Sequence, residues 1–135
     1  MRYLLDTNIC IRIINGRSHT ARTKLLNVST KDVVVCSIVR AELFYGAAKS
    51  QTQQATRRKQ DLFLKPFATL PFDDLAADIY GGIRAQLEKK GTPIGPLDMQ
   101  IAAIAMAHEL ILVTHNTREF NRVTGLNLED WESNQ

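Results

Sequence analysis

Three acids stand where folding has least need of them. Asp6 follows directly on the apolar run Tyr3 to Leu5, Glu42 lies among Ile38, Val39, Leu43 and Tyr45, and Asp98 is the one charge in Gly95-Pro96-Leu97-Asp98-Met99-Gln100-Ile101. Carboxylates that converge repel one another, a cost that a divalent cation removes. Hard oxygen ligands without His or Cys favour Mg²⁺, with Mn²⁺ as the second choice, over zinc. Such a cation neutralises a phosphate oxygen and lowers the pKa of an attacking water, which suits in-line hydrolysis of a phosphodiester. Asp6, Glu42 and Asp98 are therefore the candidate metal ligands and catalytic residues.

Each acid also has a structural role open to it. Asp6 suits the N-cap of a helix beginning near Asn8. Glu42 could be a solvated helix residue; Arg40, two positions away, does not share its face and is not expected to pair with it. Asp98, in a first helical turn, would gain about 0.3–1 kcal/mol from the helix dipole. A fourth candidate position follows the run Ile111 to Thr114, in His115-Asn116-Thr117-Arg118-Glu119-Phe120. Asn116 and Glu119 are both candidate catalytic residues, and their spacing is also that of a capping box. For His115 a surface, hydrogen-bonded role is the better reading than a proton shuttle, and His19 and His108 carry less signal still.

What must position these residues is an α/β fold. Short apolar runs at Tyr3 to Leu5, Val33 to Cys36, Ala68 to Phe72 and Ile111 to Thr114, with a weak fifth at Leu126 to Leu128, read as strands. Helical patterns fill the gaps: Ile9 to Asn15, Thr20 to Asn27, Ile38 to Ala48 with Ser37 as cap, a polar Gln51 to Leu64, and Asp74 to Lys90 capped by Asp73. After the loop Gly91 to Gly95, Pro96 fits the first turn of a helix running to His108 that is apolar almost all round and should lie buried between layers. The alternation predicts a three-layer sandwich with a central, mainly parallel sheet of four to five strands. In such sheets ligands bind beyond the carboxyl ends of the strands, which is where the candidate acids fall.

Composition sets the frame. The chain has 135 residues, 44% hydrophobic, with 17 Lys+Arg against 14 Asp+Glu for a net charge of +3. That length suits one domain, residues 1–135, able to bury about two-thirds of its unfolded surface without a disulfide or structural metal. Cys10 and Cys36 sit in apolar stretches with no partner at metal-ligand spacing. No signal-peptide pattern opens the chain, and the longest apolar run, Ile101 to Ala107, falls far short of the about 20 residues that span a bilayer. The expectation is a reduced, cytoplasmic protein with no membrane partner. The small positive excess is compatible with a polyanion and does not argue for one.

The motifs resemble a known family, the PIN-domain ribonucleases, and within it the VapC-type toxins of bacterial toxin–antitoxin pairs. Leu4-Leu5-Asp6-Thr7-Asn8 resembles the family's opening strand and first acid, Ser37-Ile38-Val39-Arg40-Ala41-Glu42-Leu43-Phe44-Tyr45-Gly46 its second, and Gly91 to Asp98 its third. Val113 to Phe120 and Gly125 to Trp131 are similar to the closing segments, so the likeness covers nearly the whole chain. It implies Mg²⁺ on Asp6, Glu42 and Asp98, RNA as substrate (transfer RNA for some relatives), a homodimer and a cognate antitoxin protein that blocks the acidic groove. Many PIN domains carry a fourth acid where this chain has Asn116, with Glu119 one turn later, so one metal or two stays open.

Two other readings use the same residues. A phosphatase would form an aspartyl-phosphate on Asp6, although such enzymes typically place a second Asp two residues on, where this chain has Asn8. A non-catalytic binding module would use the acidic patch to hold an Arg-bearing partner segment. Of the basic residues Arg57, Arg58, Lys59, Lys89, Lys90, Arg118 and Arg122, the i, i+4 pair Arg118 and Arg122 is the one expected to touch phosphates. Trp131 reads as packing.

Overall fold

Tyr3–Leu5 are buried on both faces, as a central parallel strand requires, and in a computed structural model they form β1 at the middle of the sheet. The structure describes residues 1–133. Thr7–Ile14 (α1) and His19–Leu26 (α2) lead to β2 (Val33–Cys36). Then come α3 (Ser37–Ala48), α4 (Gln53–Leu64), β3 (Ala68–Leu70), α5 (Asp74–Lys89), α6 (Pro96–Ala107), β4 (Ile111–Val113), α7 (Thr117–Phe120) and β5 (Asn127–Glu129). Among the described residues the five strands pair in parallel in the order β3-β2-β1-β4-β5. This is the α/β sandwich that the alternating pattern predicts.

Right-handed crossovers explain the layers. The chain moves outward from β1 to β2 to β3, which puts α1 to α4 on one face, where they pack on one another. It then returns across the sheet to β4, which puts α5 and α6 on the other. The direction of winding reverses between β1 and β4, and at such a switch point the carboxyl ends of the strands frame a crevice. The core runs through both layers, with Leu4, Leu5, Val34, Val35, Leu112 and Val113 from the strands and Ile101–Ala105 of α6 all buried. The apolar circumference of α6 is thus accounted for: one side meets the sheet, the other α5.

Local signals held at most helix starts. Asp73 caps α5 by accepting the Ala76 N–H at 3.0 Å, and Pro96 opens α6. Ser37 does not cap α3: Cys36 occupies that position and no side chain makes the capping bond, Ser37 being already helical. β3 stops at Leu70 rather than Phe72 because Pro71 has no N–H to continue a ladder. The strand predicted at Leu126 to Leu128 lies one residue later, and α4 is the solvated helix its charges suggest, with an Arg57–Asp61 pair at 3.0 Å on its surface. No helix among the described residues is long and apolar enough to cross a membrane. Cys10 and Cys36 are free and buried, and burial pushes the Cys36 thiol up to about 11.

Candidate active site

Asp6 is held from three directions. Its backbone N–H donates to the Val113 carbonyl at 3.1 Å, which continues the β1–β4 pairing up to the switch point. Oδ1 accepts the Ile9 N–H at 2.9 Å and so caps α1, as its position suggested. Oδ2 accepts the Thr114 hydroxyl at 2.5 Å. With 5% exposure and both oxygens engaged, Asp6 is poorly placed to attack a phosphate, which counts against the aspartyl-phosphate reading.

The other acids arrive on the helices that follow β2 and precede β4. Glu42 lies on α3, half-buried, and its Oε1 accepts the Thr7 hydroxyl at 2.5 Å, so the residue after Asp6 steers the second acid. Asp98, in the first turn of α6, is half-buried, and α3 touches α6. Glu119 accepts the Asn116 amide, Nδ2 to Oε2, at 3.2 Å.

These carboxyls feel one another. Burial pushes Asp6 up to about 6; the hydrogen bonds from Thr114 and the Ile9 N–H oppose that rise, while the negative charges of Asp98 and Glu42 add to it. Asp98 is raised first by burial, then by Glu42 and Glu119, and no hydrogen bond among the described residues relieves it. Among the described residues no Lys or Arg forms an ion pair with any of the four acids. Nor do three His, Cys, Asp or Glu side chains close into a ready-made metal cage among those residues; Asp6 and Glu42 each accept a threonine hydroxyl. An all-oxygen donor set whose mutual repulsion lacks a compensating cation fits a hard divalent ion.

The Asn116–Glu119 pair is not a capping box. Asn116 stands at the N-cap of α7 but makes no capping bond with its side chain, and its Nδ2 donates to the Glu119 carboxylate. His115 is exposed and hydrogen-bonded to Asp130 at 3.0 Å, matching the surface reading. Arg122 donates to the Pro93 carbonyl at 3.1 Å, so it anchors a loop, whereas Arg118 is exposed. Arg40 turns to Thr69 and Phe44, not Glu42. Trp131 is buried edge-on against Tyr3, as packing requires.

Sequence reasoning passed over Thr7 and Thr114, the two hydroxyls that orient the acids. The available signal was a Thr next to each strand-end polar residue, Thr7 after Asp6 and Thr114 before His115. Thr114 is fully buried and also accepts the Asn116 N–H at 3.0 Å. Replacing it by Val leaves a buried carboxylate oxygen and an N–H unpaired, so Thr114→Val is expected to cost about 1–3 kcal/mol in urea unfolding at pH 7. The loss should shrink below pH 4, where Asp6 is protonated; a penalty equal at both pH values would mean that the hydroxyl does not serve the charged form.

The PIN-domain family model matches residues 3–126. The chain belongs to the PIN-domain family. Within it, the chain is similar to the tRNA(fMet)-specific endonuclease VapC of Shigella flexneri, with 40% identity over 131 residues that cover 97% of this chain and 98% of that one. It is 39% identical to ribonuclease VapC2 of Rickettsia felis, over 98% of this chain and 99% of the relative. The DNA-bound VapBC structure from Salmonella typhimurium superposes with a TM-score of 0.92 at 39% identity, covering 97% of this chain and 98% of that one. This PIN domain is thus matched along nearly its whole length to VapC-type members.

Proposed function

We propose that this PIN domain is the ribonuclease toxin of a VapBC-type pair, a Mg²⁺-dependent endoribonuclease that hydrolyses RNA, with tRNA(fMet) as the first substrate to test. The observation that carries the reading is the meeting of Asp6, Glu42 and Asp98, from separate crossovers, at the switch-point edge with no cation among the described residues to balance them. The identity to a chain named as an endonuclease supports it. Asp6, Glu42 and Asp98 would hold the ion, Mn²⁺ being able to replace Mg²⁺; when bound, it supplies charge neutralisation at the scissile phosphate and a more acidic water.

The protein's own part is orientation. Thr114 and the Ile9 N–H fix the Asp6 carboxylate, Thr7 fixes Glu42, and Asn116 keeps Glu119 beside Asp98, close enough to raise it. Glu119 then serves as the fourth acid that Asn116 does not supply. The VapBC likeness supports a cognate antitoxin as partner; a second copy of the chain and a place in the cytoplasm belong to the same proposal.

Incubating purified, antitoxin-free protein with total RNA in Mg²⁺ or in EDTA, and sequencing new 5′-phosphate ends, tests this. Discrete ends present only with Mg²⁺ are expected. Ends bearing a 2′,3′-cyclic phosphate would overturn the water-attack chemistry, and a folded protein that yields no ends would favour a binding module.

A further inference from the structure

A cluster of carboxylates repels a polyanion, so a nucleic-acid chain that reaches it needs cations and hydrogen-bond donors alongside. Arg122, expected to help, has one N–H on the Pro93 carbonyl. A hollow of about 480 Å³ opens beside Asn116, walled by α1, the turn after it and the residues that follow β4. Its polar wall carries Asn8, Arg12, Asn15, Arg17, His115 and Asn116. The hollow on the other side of α1, next to Glu42, mixes Ile14 and Leu43 with Lys59 and Gln60 and holds no guanidinium group, whereas the Asn116 side holds two.

The cations there have separate tasks. Arg12 forms an ion pair with Glu132, an acid in the same wall, and donates to the Arg17 carbonyl at 3.2 Å. This clamps the turn in which Gly16, at φ +67°, reverses the chain. The clamp sets the backbone of Arg17 at the rim while its guanidinium has no hydrogen-bond or ion-pair partner among the described residues. His115 places Nδ1 between the two Asp130 oxygens at 3.0 and 3.2 Å, so that nitrogen carries the proton and Nε2 is left for a ligand.

We propose that this hollow seats the RNA chain adjoining the scissile bond, with Arg17 gripping a phosphate and Asn8, Asn15 and His115 meeting sugar and base edges. A guanidinium without an internal partner suits bidentate phosphate contact, and side-chain amides with an imidazole suit the hydrogen-bonding edges of unstacked nucleotides. The inference rests on the ribonuclease reading above and assigns the flanking contacts of that same site.

The test compares cleavage of a tRNA(fMet) transcript by the wild-type chain, Arg17→Ala, Arg17→Glu and a control, Arg84→Glu, on the solvent face of α5. Arg17→Glu is expected to raise KM about tenfold or more with kcat nearly unchanged, and Arg17→Ala to lower the slope of log KM against log salt by about 0.7. Thermal unfolding should be unaffected, since the Arg17 side chain has no partner to lose among the described residues. An unaltered KM in Arg17→Glu, or an equal rise in Arg84→Glu, would overturn the proposal while leaving the ribonuclease reading intact. Weakened antitoxin binding by Arg17→Glu with an unaltered RNA KM would make the hollow a protein seat, also overturning it. A folded wild type that neither binds nor cuts the transcript in Mg²⁺ would remove the underlying reading, and the hollow's role with it.

Discussion

Asp98→Asn is expected to lower RNA cleavage by about 100-fold or more while the protein stays folded. The two halves of that result have separate causes. Loss of a mere supporting partner of a metal ligand costs about 10–100-fold, and Asp98 is proposed as a ligand itself, so its loss should cost at least the upper figure. Folding is spared because, among the described residues, the Asp98 carboxylate makes no hydrogen bond that Asn would break, and its charge is disfavoured by burial, by Glu42 and by Glu119. The change preserves shape and removes one of the repelling charges. Initial rates on the RNA that the wild type cuts, with unfolding midpoints in EDTA, check both halves. A variant that is folded and cuts within a fewfold of wild type would show that Asp98 is not part of the catalytic set. A variant that fails to fold would point to a structural role at the head of α6, and Glu119→Gln would then carry the activity test.

Residues whose role is set by near neighbours were legible in the sequence. Asp6 was placed at a strand end and as the cap of α1 because both the strand and the capped N–H lie within three residues of it. Pro96 and Asp73 announced helix starts for the same reason. The assignments that failed or were missed depend on distant chain. Thr114 reaches Asp6 across 108 positions and Thr7 reaches Glu42 across 35, and a Thr beside a strand-end polar residue does not by itself say which distant acid it will bond. Arg122 also donates to the carbonyl of Pro93, 29 residues earlier, a contact that no local pattern announces. Asn116 and Glu119 have the spacing of a capping box, but the geometry lets the two side chains bond each other, and spacing cannot distinguish these outcomes. The fold survives such misreadings because apolar periodicity and crossover handedness set it, whereas the site is assembled from pairs separated by whole elements.

Asp6→Asn should make the metal-free protein more stable at neutral pH and catalytically inert. In the folded chain burial raises the Asp6 carboxyl from 3.8 to about 6. The native state therefore binds a proton more tightly than the unfolded state, and stability declines as pH rises from about 4 through 6. Above that window the charged, buried Asp6 costs about 3 kcal/mol relative to its protonated form. Asn escapes the cost. Its side-chain oxygen can still accept the Ile9 N–H and keep α1 capped, and its NH₂ can donate to the Thr114 oxygen. That hydroxyl then loses the acceptor for its own hydrogen, returning about 1 kcal/mol of the gain. A net increase of about 2 kcal/mol, a rise of several degrees in Tm, is expected at pH 7.5 in EDTA and should vanish near pH 4. Added Mg²⁺ should narrow the gap by raising the wild-type Tm alone, because a cation that binds only the folded, charged site stabilises it by mass action. If Asp6→Asn melts below the wild type at pH 7.5, capping and the Thr114 contact outweigh the buried charge. If Mg²⁺ raises both proteins equally, the ion binds elsewhere, and the acids at the switch point need another explanation for their proximity.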